Sequence, residues 1–263
     1  QLGRCVAIKV LAPHYGTSAA ARQRFAREAK ATAAVVHPHV LAIHGVNESG
    51  TLPYLVMPYV RGESLQKRID AEGPLPLIEI LRIGTQVAAG LAAAHEQGLV
   101  HRDIKPGNIL MEQGVERVTI TDFGLALALK SDSQEREAVG TPGTLRYMPL
   151  EQLEGQPTAR SDIYSLGLTL YELLAGCPAY EDSSSSQLLH RIRQGDIAPL
   201  RAVDTNFPRD LEAILLGVTV GHVDQARPEG SLGKHVECLV DTVLLQQVIS
   251  VEQVFATMRD DLQ

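Results

Sequence analysis

Within one short run, His101-Arg102-Asp103-Ile104-Lys105-Pro106-Gly107-Asn108, stand a carboxylate, an ammonium group and a carboxamide. A second carboxylate follows in Asp122-Phe123-Gly124, beside a glycine able to take positive φ. Carboxylate and amide oxygens are the hard ligands magnesium prefers, and a lysine can offset the charge of a phosphate. Such a set suits phosphoryl transfer, which asks a protein mainly for positioning and for cations. Alone, the Asp-Phe-Gly tripeptide is a weak signal, because many turns could hold it. In this order, with a strand–turn–strand pattern between them, the two motifs are highly specific.

The elements that must position these groups are also marked. Residues 109–111 and 118–121 read as short strands around a Gln113-Gly114 turn, joining one motif to the other. Upstream, Leu77, Ile80, Leu81, Ile83, Val87, Ala88, Leu91 and Ala94 recur close to a helical period across residues 76–97. Gly98 is well placed to end that helix. Residues 6–11 form an apolar run, β-branched at Val6, Ile8 and Val10, that fits a strand. Thr17 or Ser18 can cap a helix running to about Val35. Strand-like runs follow at 40–46 and 53–57. Residues 123–149, rich in Gly, Ser and Thr, read as a long loop, and helices resume at 162–174, near 186–193 and at 209–220. A stretch at 239–258 reads as helical without a functional reading. The pattern predicts a small sheet-and-helix lobe, then a larger helical lobe, joined near residues 58–62. Clefts between lobes commonly hold ligands.

A chain of 263 residues, 44% hydrophobic and 21% charged, can bury the core this arrangement needs. Its formal net charge of -7 argues against nonspecific nucleic-acid binding, which needs a basic face. Cys5, Cys177 and Cys238 lie far apart with no CxxC pair. That spacing supports neither a zinc site nor a disulfide framework, so a reducing cytoplasm is the expected setting. No run reaches the roughly 18 uninterrupted apolar residues of a membrane helix. His37, His39 and His44 could suggest a metal site, but Pro38 between the first two favours a loop.

On these motifs the chain resembles the catalytic domain of eukaryotic-type serine/threonine protein kinases, and bacterial members in particular, from Val6 to Pro228. The resemblance implies an α+β, bilobal protein-kinase fold: an N-lobe over 1–57, a hinge over 58–62 and a mainly helical C-lobe over 63–263. It implies ATP and Mg2+ as cofactors, and protein substrates phosphorylated on serine or threonine. Asp103 would orient the acceptor hydroxyl and take its proton, Lys105 would flank the transferring phosphate, and Asn108 and Asp122 would hold magnesium. Val6-Ala7-Ile8-Lys9 resembles the strand whose lysine grips the α- and β-phosphates, with Glu28 as that lysine's expected ion-pair partner. In Tyr54-Leu55-Val56-Met57-Pro58-Tyr59-Val60, Met57 stands at the gatekeeper position. The Pro58 carbonyl and the Val60 backbone would meet adenine, with Ala7 and Leu110 on either face of the ring. Pro58 replaces a common glutamate at no cost there, since proline lacks only the N–H.

Residues Gly143-Thr144-Leu145-Arg146-Tyr147-Met148 resemble the end of an activation segment, with Pro149-Leu150-Glu151 in place of Ala-Pro-Glu. The resemblance pairs Glu151 with Arg227 and assigns Asp162 to brace the catalytic loop through backbone N–H groups. Lys105 with Thr144 implies serine/threonine rather than tyrosine specificity. Arg102 implies control by a phosphate on the segment, with Thr141 the best-placed acceptor ahead of Ser133 and Ser131. The family's first strand and glycine-rich loop have no match here, so the expectation is an exposed sheet edge, weak ATP binding and a small lobe of low stability. Two alternatives stand beside this reading. One is a pseudokinase or scaffold that binds partners without turnover. The other is a small-molecule phosphotransferase, a class without the long anchored segment. Many kinases of this kind continue into membrane-anchored sensor domains, which is compatible with a cytoplasmic catalytic domain.

Overall fold

The Val-Ala-Ile-Lys-Val run extends as strand β1 (Val6–Val10) in a computed structural model that describes residues 5–12, 18–48, 52–123, 142–181, 184–203, 205 and 207–224. Helix α1 (Ala19–Ala33) follows, and its first turn is capped by Ser18, whose side chain accepts from the Ala21 N–H. Strands β2 (Gly45–Asn47) and β3 (Tyr54–Pro58) complete an antiparallel sheet in the order β1-β3-β2. Phe25 and Ala29 of α1 pack with Leu11 and Leu55 into a small core over this sheet. β1 lies at its edge, with Val6, Ile8 and Val10 exposed.

The strand expected over 40–46 is confined to Gly45–Asn47. Val40 instead bridges Ile120 in parallel. The Leu41 N–H donates to the Ile120 carbonyl and the Ile120 N–H to the His39 carbonyl, each at 2.9 Å. These backbone groups are spent on a second sheet, which ties the two halves of the chain together.

That second sheet comprises β4 (Gly62–Ser64), β5 (Ile109–Glu112) and β6 (Val118–Ile120), antiparallel in that order. β4 escaped the sequence reading because three small or polar residues carry no period. Gly62 holds φ +152°, and a Cβ there would fall 1.9 Å from the Met111 carbonyl oxygen, so only glycine allows the pairing. Among the described residues there are also a 3-10 turn at Pro106–Asn108 and helices α2 (Leu65–Glu72), α3 (Leu77–Glu96), α4 (Pro142–Leu145), α5 (Leu150–Leu153), α6 (Ala159–Ala175), α7 (Ser185–Gln194), α8 (Leu200–Val203) and α9 (Arg209–Asp224). The first turn of α4 falls where a continuous loop was expected, and α2 went unread.

The main core forms where α3 meets α6 and β6. Ile80, Ile83, Val87, Leu91 and Ala94 of α3 pack there with Ile104, Ile109, Ile120, Phe123, Leu166 and Leu173. Among the described residues, α3 is the one helix long and apolar enough to cross a membrane. Here it buries that apolar face as a core helix. Gly90 permits the close approach, because a Cβ would meet the His39 carbonyl oxygen and Ile120 Cδ1, both at 2.9 Å. A second core gathers Leu145, Tyr147, Tyr164, Leu168 and Tyr180 beneath α4.

Candidate active site

The loop leaving α3 rests on Asp162, a fully buried carboxylate in the first turn of α6. One oxygen accepts the His101 N–H at 2.8 Å, and the other accepts the Arg102 N–H at 2.7 Å. His95 Nε2 lies 2.7 Å from the first of these oxygens. This support holds Arg102 at φ +69°, a left-handed conformation costing a non-glycine residue about 1–2 kcal/mol. Gln152 donates to the Arg102 carbonyl at 2.7 Å from the other side. His95 was missed at the sequence level, because a histidine in the last turn of an apolar helix carries no distinguishing spacing.

His101 is fully buried and joins the two motifs. Its Nδ1 accepts the Asp103 N–H at 3.1 Å, so Nε2 carries the proton and donates to the Thr121 carbonyl at 2.8 Å. Burial holds the imidazole below its ordinary pKa, outweighing the opposite pull of Asp162, Asp103 and Asp122. Its ring meets that of Phe123 edge-on, with centroids 4.5 Å apart. A backbone bond from the Thr121 N–H to the Asn108 carbonyl, at 3.0 Å, completes the link.

Above this base the Asp103 carboxylate is gripped from two sides. Lys105 Nζ lies 2.9 Å from it, and Asn108 Nδ2 donates to it at 2.8 Å and to its main-chain carbonyl at 2.7 Å. Lys105 also donates to Thr144 Oγ1 at 3.0 Å, bringing the end of the 142–147 segment beside the carboxylate. With its amino group so engaged, Asn108 turns an Oδ1 that accepts no hydrogen bond among the described residues.

Asp122 sits at φ +70° and pairs with Lys9 at 2.6 Å. The pair is more than a third exposed on the lysine side, so it contributes little to stability. The expected Lys9–Glu28 pair is not formed. Glu28 is buried on α1 and accepts from Arg27 at 3.4 Å instead. Lys9 goes to the carboxylate that comes into contact with it, since attraction falls off with distance. Met57 is buried on β3 directly across from Ala7, and Pro58 faces Val6. Val60 is half-buried beyond the strand. Leu110 lies half-buried in the second sheet, in register with Ser64 and Thr119.

Glu151, on α5, accepts from Ser161 Oγ at 2.7 Å. Its expected partner Arg227 lies outside the described residues, as do Thr141, Ser131, Ser133, Gly124 and the 239–258 stretch. Among the described residues no group of three or more His, Cys, Asp or Glu side chains is placed to hold a metal ion.

One loop thus holds a carboxylate gripped by a lysine and an amide, and a second loop holds a carboxylate paired with Lys9 of strand β1. The family described as "Protein kinase domain" matches residues 1–225. The chain belongs to the protein kinase domain family, and its fold is the α+β fold of that family. It is similar to the serine/threonine-protein kinase PknB of Mycobacterium leprae, with 35% identity over 222 residues, covering 82% of this chain and 35% of that protein. It is likewise similar to the serine/threonine-protein kinase PrkC of Bacillus subtilis, with 36% identity over 219 residues, covering 83% of this chain and 34% of that protein. The chain thus spans about a third of the length of the curated relatives it matches. Among solved structures, the kinase domain of Mycobacterium tuberculosis PknI matches with a TM-score of 0.64 and 28% identity, covering 88% of this chain and 83% of that chain. Rad53 in complex with AMP-PNP matches with a TM-score of 0.67 and 25% identity, covering 82% of this chain and 53% of that chain.

Proposed function

We propose that this chain is the catalytic region of a bacterial serine/threonine protein kinase, transferring the γ-phosphoryl group of ATP to serine or threonine hydroxyls on proteins. The observation that supports the reading is the Asp103 carboxylate, held by Lys105 and Asn108, with Lys105 also bonded to Thr144. In this role Asp103 accepts a hydrogen bond from the acceptor hydroxyl and then its proton as the hydroxyl attacks. Lys105 offsets charge on the group in transit. Lys9 binds the α- and β-phosphates after leaving Asp122. Met57 and residues 58–62 form the gatekeeper and hinge, with Pro58 and Val60 facing adenine and Ala7 and Leu110 flanking its ring.

The oxygens present fit magnesium. Asn108 Oδ1 and the Asp122 carboxylate are hard donors, and one or two such ligands suffice when phosphates supply the others. Bound there, magnesium would neutralise charge on the β- and γ-phosphates. Protein substrates and a cytoplasmic setting belong to the same proposal, as does the N-lobe, hinge and C-lobe division at 1–57, 58–62 and 63–263. Arg102 serves as the receiver of an activation-segment phosphate on Thr141, and Glu151 pairs with Arg227 to anchor the segment.

The test is transfer of labelled phosphate to a generic basic protein, with Asp103→Asn as the control. Loss of the base should lower the rate roughly 10²–10⁴-fold. Equal rates for the two proteins would sink the assignment.

A further inference from the structure

The peptide unit between Arg102 and Asp103 is held at both ends. Its carbonyl accepts from the Gln152 side-chain amide at 2.7 Å, and its N–H donates to His101 Nδ1 at 3.1 Å. The units on either side are held as well. Asp162 accepts the Arg102 N–H at 2.7 Å, and the Asp103 carbonyl accepts from Asn108 at 2.7 Å. Asp162 stands on α6 and Gln152 on α5, and the Ser161 to Glu151 bond at 2.7 Å joins those two helices beside their contacts with the loop.

Gln152 is buried, and its Oε1 is shut off from solvent with no hydrogen-bond partner among the described residues. A buried acceptor without a donor costs free energy, so packing alone would favour an apolar side chain of this length. What the amide supplies is its donor, and that donor goes to the Arg102 carbonyl. Each residue has two soft backbone dihedrals, so turning the Arg102–Asp103 peptide changes ψ of Arg102 and φ of Asp103 together. Such a turn redirects the Asp103 side chain relative to Lys105 and Asn108. Arg102, at φ +69°, has a steric reason to leave its conformation once the restraint is gone.

We propose that Gln152 is a positioning residue for phosphoryl transfer, which fixes the direction of the Asp103 carboxylate by pinning the peptide that precedes it. The inference rests on the kinase reading above. Gln152 acts through Asp103 and not on the reacting groups. With Thr144 bonded to Lys105, it gives the 144–152 stretch two holds on the 101–108 loop, one on a side chain and one on the backbone.

Wild type, Gln152→Met and Gln152→Leu are compared in phosphate transfer from labelled ATP to a generic basic protein. Both substitutions remove the donor, and they differ in shape, so an equal loss in the two belongs to the donor. Each should lower kcat about ten- to a hundredfold, as small misplacements of a reacting group do, with KM for ATP within about twofold of wild type. Melting temperature should hardly move, because a bond and an unpartnered buried acceptor disappear together. Amide hydrogen exchange should quicken at Asp103 and stay slow at His101, which Asp162 holds. An unchanged kcat, a loss confined to KM, or a still-protected Asp103 amide in a folded variant would overturn the proposal. Unfolding of both variants would overturn it too, since the residue would then be structural. Should only one unfold, the other decides. No transfer by the wild-type protein would sink the kinase reading and this role with it, whereas wild-type transfer that Gln152→Met leaves undisturbed would sink this inference alone.

Discussion

Replacing Asp162 by asparagine should cost this protein a large part of its stability. The carboxylate is fully buried and receives the His101 and Arg102 N–H groups at 2.8 and 2.7 Å, with His95 at 2.7 Å. An amide of the same shape keeps one acceptor oxygen and turns an NH2 group toward donors. At least one backbone N–H is then left buried and unsatisfied. Hydrogen bonds to a charged group contribute about 1.5–3 kcal/mol each, and an orphaned buried donor costs about 1–3 kcal/mol. The Arg102 strain also loses its restraint. Asp162→Asn should therefore cost about 3–5 kcal/mol, a large share of the roughly 5–15 kcal/mol that holds a domain folded. At about 2–4 °C per kcal/mol for a chain of this size, Tm should fall by roughly 6–20 °C. Thermal unfolding by circular dichroism measures the shift, and hydrogen exchange at the His101 and Arg102 amides localises it. A fall below about 2 °C, with both amides still protected, would refute the claim that this carboxylate carries the loop.

Two further outcomes follow from the same geometry. Burial keeps His101 neutral in the folded state, so below its ordinary pKa of 6.5 the unfolded chain binds the extra proton. Stability should then fall as pH drops from about 6.5 toward the lowered native value, by up to about 1.4 kcal/mol per pH unit from this residue. Urea unfolding across that range, compared with His101→Phe, isolates the contribution; parallel curves for the two proteins would contradict it. Gly90→Ala gains about 1 kcal/mol of helix propensity but drives a methyl group into the His39 carbonyl and Ile120. Overpacking of this kind costs about 1–3 kcal/mol, so the variant should be less stable in denaturant. A more stable variant would show that α3 is free to move away from β6.

How much of this was legible beforehand depended on the range of the interaction. The α3 periodicity, the Ser18 cap and the motif-bearing loops are local, and each appears where residue types require it. β4 was not legible, because Gly-Glu-Ser has no pattern and its pairing depends on Met111, far along the chain. The 40–46 run had the composition of a strand, yet only the position of β6 decided that Val40 and Leu41 would join the other sheet. The same holds for the ion pairs. Lys9 and Glu28 are evident as residue types in the sequence, but their partners are Asp122 and Arg27.

By itself, the order of residues determined which side chains could handle a phosphate, and that two strand-like runs would join them. Those choices depend on chemical identity and on spacing of a few residues, both printed in the chain. Only the tertiary structure decided that His95 and Asp162 stand under the 101–108 loop and that Lys9 pairs with Asp122. Each of these is a distance between segments remote in sequence, set by how α3, α6 and two small sheets pack.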